Sequence, residues 1–188
     1  MSDGEKPAIA PGERPPWMRA RAISFDIYDS MKHTLGSLHT VCESARCPNL
    51  GECWKSGTAT FMIMGDICTR SCKFCAISTG RPRPLDPDEP ARLAEAAREM
   101  KLRHVVITSV TRDDLADGGA AHFAACIRAL RQTMPTATIE VLTPDFEGSR
   151  AAVAAVLAAG PDVFNHNGAP VRCLTEPVVI QARQDRSL

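Results

Sequence analysis

Six of the eight cysteines fall within residues 41–78 and form two groups of three. The spacings are Cys42-x4-Cys47-x5-Cys53, called the first triad, and Cys68-x3-Cys72-x2-Cys75, called the second triad. A tetrahedral zinc site takes four protein ligands, whereas a 4Fe–4S cube held by three thiolates leaves one iron open to another ligand. The count of three therefore favours two iron–sulfur sites, with a zinc site or an unliganded thiol loop as the alternatives.

The composition limits the partners and the compartment. Lys+Arg and Asp+Glu both number 22, so no excess of positive charge predicts binding to nucleic acid or to an anionic membrane. No apolar run approaches the roughly 20 residues that a membrane helix needs, and the N-terminus lacks the hydrophobic core of a secretory signal. We therefore expect a cytoplasmic protein with no nucleic-acid or membrane partner. Its reduced cysteines would serve as metal ligands or redox centres.

Buried strands and amphipathic helices alternate after residue 57. Apolar runs predict strands at residues 58–65, 104–110, 137–142 and 162–167, with helices between them near residues 89–100, 120–132 and 149–160. This alternation predicts an α/β fold with a parallel sheet, in which the loops after the strands meet at one edge. The second triad lies in the first of these loops, so we expect the chemistry to gather there.

Three regions are predicted: an N-terminal extension at residues 1–57, the α/β region at residues 58–167 and a divergent tail at residues 168–188. Within the extension, residues 1–16 are rich in Pro and Gly and are expected to be extended or disordered, Trp17 is expected to dock on the body, and a helix is predicted at residues 25–38. The tail shows little helical periodicity. Of the remaining cysteines, Cys126 is predicted in the core and Cys173 on the surface.

The second triad resembles the signature of the radical S-adenosylmethionine (SAM) enzymes, with the aromatic Phe74 directly before the last cysteine. The resemblance implies a partial TIM-type (β/α) barrel in which Cys68, Cys72 and Cys75 hold a 4Fe–4S cluster whose fourth iron binds SAM. In such enzymes electron transfer from the cluster cleaves SAM and yields a 5′-deoxyadenosyl radical. The cofactor carries that chemistry and the protein directs it.

Residues around the first triad indicate which group of radical SAM enzymes the chain resembles. The segments VCESARCPNLGECW (41–54), VVITSVTRDDLADGG (105–119), PDF (144–146) and DVFNHN (162–167) are similar to lipoyl synthases. This resemblance, over residues 38–167, implies insertion of two sulfur atoms into an octanoyl chain on a lysine of a lipoyl carrier domain, with two SAM molecules consumed. It implies that Cys42, Cys47 and Cys53 hold an auxiliary 4Fe–4S cluster that is sacrificed as the sulfur donor. The partners expected are octanoylated carrier domains of 2-oxoacid dehydrogenases and the glycine cleavage H protein, with a ferredoxin- or flavodoxin-type reductant.

The same resemblance predicts further cofactor-binding residues: Phe74, Gly118, Gly119, Glu140 and Asn165. For Asn165 and the polar residues that follow it, a hydrogen-bonded strand end without function is the alternative. After residue 167 we expect the sequence to depart from the family, as a truncation or frameshift would produce. It would then lack later strand–helix units and an Arg-Ser-Ser-Tyr motif that completes the auxiliary cluster. An inactive fragment and a non-catalytic two-cluster electron carrier are therefore the alternative functions.

Overall fold

A computed structural model of the protein describes residues 25–45, 47–168, 171–179, 181, 183 and 186. The expectations for residues 1–16 and for Trp17 lie outside these residues. Within the part of the chain that the structure describes, no helix is long and apolar enough to span a membrane.

The N-terminal region is built from short helices that hold the first triad. Its elements are α1 (Phe25–Leu35), β1 (His39–Thr40), α2 (Val41–Ser44) and α3 (Leu50–Lys55). Helix α1 stops three residues before the predicted end at residue 38, because Gly36 adopts a φ of +53° and turns the chain. The Thr40 hydroxyl accepts a hydrogen bond from the Glu43 backbone N–H and so caps α2.

The predicted parallel sheet is present. Its strands are β2 (Thr58–Ile63), β5 (His104–Ser109), β6 (Thr138–Thr143) and β7 (Val163–His166), and a separate parallel pair is formed by β3 (Ile67–Cys68) and β4 (Ser78–Thr79). The order in the sheet is β1-β2-β5-β6-β7, in which β1 is antiparallel to β2 and every other neighbouring pair is parallel. Neighbouring strands in chain order are neighbours in space, as in a partial (β/α) barrel.

Three helices cover one face of the sheet: α4 (Glu89–Glu99), α5 (Ala120–Thr133) and α6 (Arg150–Ala158), with α5 packed between the other two. Alternate residues of β6 face this layer, so Ile139 and Val141 are fully buried. They join Phe123 and Ile127 of α5 in one core. Cys126 is also fully buried, as predicted. The remaining side chains of β6, such as Glu140, occupy the other face of the sheet, which is the inner face of a barrel.

The tail contains a helix that the sequence analysis did not expect. Helix α7 spans Arg172–Val178 even though Pro177 lies inside it. Tertiary contacts support it: Thr175 and Val179 are buried, and the Lys73 N–H of the cysteine loop donates to the Val178 carbonyl over 3.0 Å. Helices in proteins depend mostly on such packing, which periodicity cannot reveal in a short segment. Cys173 of α7 is exposed, as predicted.

Candidate functional site

The second triad lies in the loop between β2 and α4, at the C-terminal edge of the sheet. Cys68 ends β3, and a turn closed by a 3.1 Å hydrogen bond from the Cys75 N–H to the Cys72 carbonyl brings the last two cysteines together. The Cys68 sulfur accepts hydrogen bonds from the backbone N–H groups of Arg70 (3.4 Å) and Thr111 (3.3 Å). Such bonds stabilise a thiolate and tune an iron–sulfur cluster.

The three thiols of this triad are close enough to influence one another electrostatically. Burial raises the pKa of Cys72, the neighbouring Cys68 and Cys75 raise it further, and the Arg70 guanidinium opposes them. Three thiolates without a counter-charge would therefore repel each other. A cationic iron–sulfur core removes that repulsion, so the donor set suits such a group.

A cavity of about 250 Å³ opens beside the second triad. Its walls come from the cysteine loop, from the C-terminal ends of β5, β6 and β7, and from the tail: Cys68, Arg70, Cys72, Phe74, Cys75, Ile77, Ser109, Thr111, Asp145, His166, Asn167, Thr175 and Val179 are among them. Phe74 leaves 59% of its surface exposed there. Two buried wall atoms, Ser109 Oγ and Asp145 Oδ2, have no hydrogen-bond partner among the described residues. An apolar cavity with a few unpaired polar groups is the usual form of a small-molecule site.

A buried ion network supports the cysteine loop. The Arg70 side chain donates to both carboxylate oxygens of Asp113 (2.7 and 2.8 Å) and to Asp145 Oδ1 (2.7 Å). Burial alone would lower the pKa of Arg70, but the two carboxylates outweigh it and keep the guanidinium charged. Burial likewise would raise the pKa of Asp145, and the bond from Arg70 instead holds it below its usual value.

The first triad forms a second group of thiols on α2, α3 and the turn between them. Backbone hydrogen bonds close this turn, from the Cys47 N–H to the Cys42 carbonyl (3.0 Å) and from the Cys53 N–H to the Asn49 carbonyl (2.9 Å). Burial raises the pKa of Cys53, and the charges of Cys42 and Cys47 raise it further. The three thiols of the first triad are therefore close enough to influence one another electrostatically.

Side chains of α1 brace the first triad. The Glu43 carboxylate, next to Cys42, accepts hydrogen bonds from the Tyr28 hydroxyl (3.0 Å) and the Lys32 ammonium (2.5 Å). The Tyr28 ring stacks on Trp54, which follows Cys53 and is buried. Helix α1 is thus joined to the residues that directly follow the first and the last cysteine of the triad.

Among the described residues, no group of three or more His, Cys, Asp or Glu side chains could hold one ion. A zinc site needs all its sulfurs about 2.3 Å from one point. Three thiolates in a triad do not fill such a site, whereas a 4Fe–4S cube held by three thiolates keeps one iron open to another ligand.

The predicted cofactor-binding residues fall in three places. Phe74 lines the cavity. Gly118 and Gly119 lie outside its walls, where the φ of +89° at Gly119 and the approach of the Met64 side chain both disfavour a Cβ. Glu140 and Asn165 lie on the inner face of the sheet, joined by a 2.6 Å hydrogen bond from the Asn165 amide. Contact of all five residues with a cofactor stays a prediction.

The sequence analysis missed three residues of the site. Arg70, Ser109 and Asp145 line the cavity, and two of them carry the ion network. The available signal was their position: Arg70 lies between two cysteines, and the other two lie at or just after the end of a strand. Parallel strands bring such residues to the same edge.

Several known proteins are similar in sequence to this chain. The family model of the radical SAM superfamily matches residues 62–168. Lipoyl synthase of Rubrobacter xylanophilus is 56% identical over 177 residues (93% of this chain, 55% of the relative), and lipoyl synthase of Methylococcus capsulatus is 60% identical over 161 residues (84% and 50%). Lipoyl synthase of Chlorobaculum parvum is 51% identical over 181 residues (95% and 62%).

The chain thus spans between half and about three fifths of the length of these relatives. A match over 95% of 188 residues also reaches beyond residue 167, so the similarity includes part of the segment that was expected to diverge. The family model alone covers more than half of the sequence. The chain therefore belongs to the radical SAM superfamily.

Proposed function

We propose that this chain is the two-cluster portion of a lipoyl synthase, which inserts two sulfur atoms into the octanoyl chain of an octanoyl-lysine on a lipoyl carrier domain. The observation that carries the proposal is the presence of two separate cysteine triads in a chain 51–60% identical to lipoyl synthases. A single triad would fit radical SAM enzymes in general, whereas the added triad provides a place for a second cluster.

In the proposed reaction the second triad would hold one 4Fe–4S cluster, and the cavity beside it would bind SAM. When bound, the cluster and SAM supply a radical able to remove hydrogen from an unactivated chain. Cys68, Cys72 and Cys75 would hold three of the irons, and the backbone N–H groups on the Cys68 sulfur would stabilise its thiolate. The exposed Phe74 ring offers an apolar surface to the bound molecule.

The cavity walls would orient SAM and limit water. The walls are mainly apolar, with Ile77 from the cysteine loop and Val179 from the tail among them. The Ser109 hydroxyl, unpaired in the described structure, is free to donate to or accept from a polar group of the cofactor. Helix α7 lies against the cysteine loop through the hydrogen bond from the Lys73 N–H to the Val178 carbonyl, and Thr175 of this helix forms part of the cavity wall.

The first triad would hold the auxiliary cluster that donates sulfur. Its ligands lie on two short helices and the turn between them, outside the main sheet. The substrates of the proposed reaction are octanoylated carrier domains, for example those of 2-oxoacid dehydrogenases and the glycine cleavage H protein. A ferredoxin or flavodoxin would supply electrons, and we place the protein in the cytoplasm.

The test is sulfur insertion by the whole chain. The chain is expressed anaerobically, reconstituted with iron and sulfide, and mixed with SAM, a reductant and an octanoylated carrier domain. Mass spectrometry of the carrier should show the gain of two sulfurs with the loss of two hydrogens. The variants Cys42→Ala and Cys68→Ala should abolish the gain, and Cys173→Ala, which changes an exposed cysteine outside both triads, should not. Clusters that form and exchange electrons while SAM stays intact would favour a non-catalytic electron carrier.

A further inference from the structure

Arg70 is a buried cation inside the cysteine loop. It lies between Cys68 and Cys72, and only 5% of its side chain is exposed. The guanidinium donates three hydrogen bonds, two to Asp113 and one to Asp145, all between 2.7 and 2.8 Å. Each of these bonds is charge-assisted, and the pair of bonds to Asp113 also fixes the plane of the guanidinium.

The two carboxylates belong to different strand ends. Asp113 follows β5 and Asp145 follows β6, at separations of 43 and 75 residues from Arg70. Asp145 is fixed in turn, since its Oδ1 atom also accepts the Glu147 N–H over 3.1 Å. One side chain of the loop is thereby fastened to the ends of two strands that form the cavity wall.

Stability alone does not explain this network. One cation and two carboxylates are taken out of water, and Asp145 Oδ2 is left without a partner among the described residues. Buried ion pairs are often no more stabilising than apolar residues of similar size, and their best-attested use is to select one arrangement. The arrangement selected here is the position of the loop that carries the second triad.

We propose that Arg70 is a positioning residue that fastens the Cys68–Cys72 segment to the ends of β5 and β6, so that the three thiolates of the second triad face the cavity together. It acts through its hydrogen bonds to Asp113 and Asp145. This inference rests on the proposed function only for the identity of the group that the thiolates hold.

The experiment uses the cysteines of the metal-free full chain as reporters. Alkylation by iodoacetamide is followed site by site with peptide mass spectrometry in the parent chain and in Arg70→Met, Arg70→Lys and Arg92→Met. The last variant is the matched control, because Arg92 of α4 forms an exposed ion pair with Asp86, which precedes the helix, away from the cavity. Buried Cys126 reports global unfolding, and Cys53 reports the first triad.

Arg70→Met should raise the alkylation rates of Cys68 and Cys72 about tenfold, as expected when a local segment opens. Cys53 and Cys126 should keep their rates. Arg70→Lys, which keeps the charge but loses the two-pronged bond, should show a smaller rise, and Arg92→Met none. After reconstitution, Arg70→Met should lose iron from the second triad and keep it on the first.

Unchanged rates at Cys68 and Cys72 in Arg70→Met would overturn the proposal. An equal rise at Cys126 would also overturn it, because Arg70 would then stabilise the whole chain without a special role for the loop. Alkylation needs neither iron nor SAM. A parent chain that fails to insert sulfur would therefore count against the proposed function alone, and the alkylation result would still decide the role of Arg70.

Discussion

Replacement of Gly119 by alanine tests whether this glycine is required by packing. Gly119 has a φ of +89°, and a Cβ at this position would lie 2.3 Å from Met64 Sδ and 2.6 Å from Met64 Cε. A left-handed conformation costs an alanine about 1–2 kcal/mol, and forcing an extra methyl group into a packed core costs about 1–3 kcal/mol. Met64 is itself buried, so it has little room to move. We expect Gly119→Ala to lower the free energy of unfolding by about 2–4 kcal/mol.

Gly36→Ala is the matched control. Gly36 also has a positive φ, +53°, but no atom lies within 4 Å of its added Cβ among the described residues. Both substitutions reduce the entropy of the unfolded chain equally, so their difference isolates the contact with Met64. Met64→Ala, which removes the obstructing sulfur, should make Gly119→Ala less costly by about 1 kcal/mol or more in a double-mutant cycle.

The assay is urea unfolding of the metal-free chain under reducing conditions, followed by circular dichroism. Equal losses for Gly119→Ala and Gly36→Ala, with no coupling to Met64, would refute the packing account. Retained folding with loss of SAM binding would instead support the predicted contact of Gly119 with the cofactor.

Two further substitutions probe buried charges. Glu89→Ala removes the acceptor of the Met64 N–H (3.0 Å) and the partner of His122 Nε2 (2.6 Å), so it should lower the free energy of unfolding by about 3 kcal/mol. Glu89→Gln keeps an acceptor oxygen and should lower it less. Equal urea midpoints for the two variants would contradict this expectation. The pKa of Asp145 is lowered on folding, so its contribution is full above the unfolded value of about 4 and is lost as pH falls through the folded value. Asp145→Asn should therefore flatten the loss of stability as pH falls below about 4, whereas parallel curves for the variant and the parent chain would contradict it.

The sheet was predictable because its strands are short apolar runs between turn residues. The runs at residues 104–110 and 137–142 become β5 and β6 with shifts of one residue at their ends. Burial against a helix layer on one face imposes this pattern on the sequence, and parallel pairing follows from the intervening helices. The edge at which the chemistry gathers follows from the same rule.

The ion network and the tail helix could not be predicted from the sequence. Arg70 meets Asp145 across 75 residues, and no local pattern reports such a pairing. Helix α7 is held by contacts with the cysteine loop, including the bond from the Lys73 N–H, and its own periodicity is weak. Gly119 could be noted in the sequence, but its contact with Met64 appears only when the chain is folded.

The most direct test of the account is a count of iron per chain together with SAM cleavage. After anaerobic reconstitution, two 4Fe–4S clusters predict about eight irons per chain and formation of 5′-deoxyadenosine from SAM on reduction. The variant Cys68→Ala/Cys72→Ala/Cys75→Ala should keep about four irons and lose SAM cleavage, and the corresponding triple variant of the first triad should keep about four irons and retain cleavage. Iron bound at one triad only, or SAM cleavage that survives loss of the second triad, would contradict it.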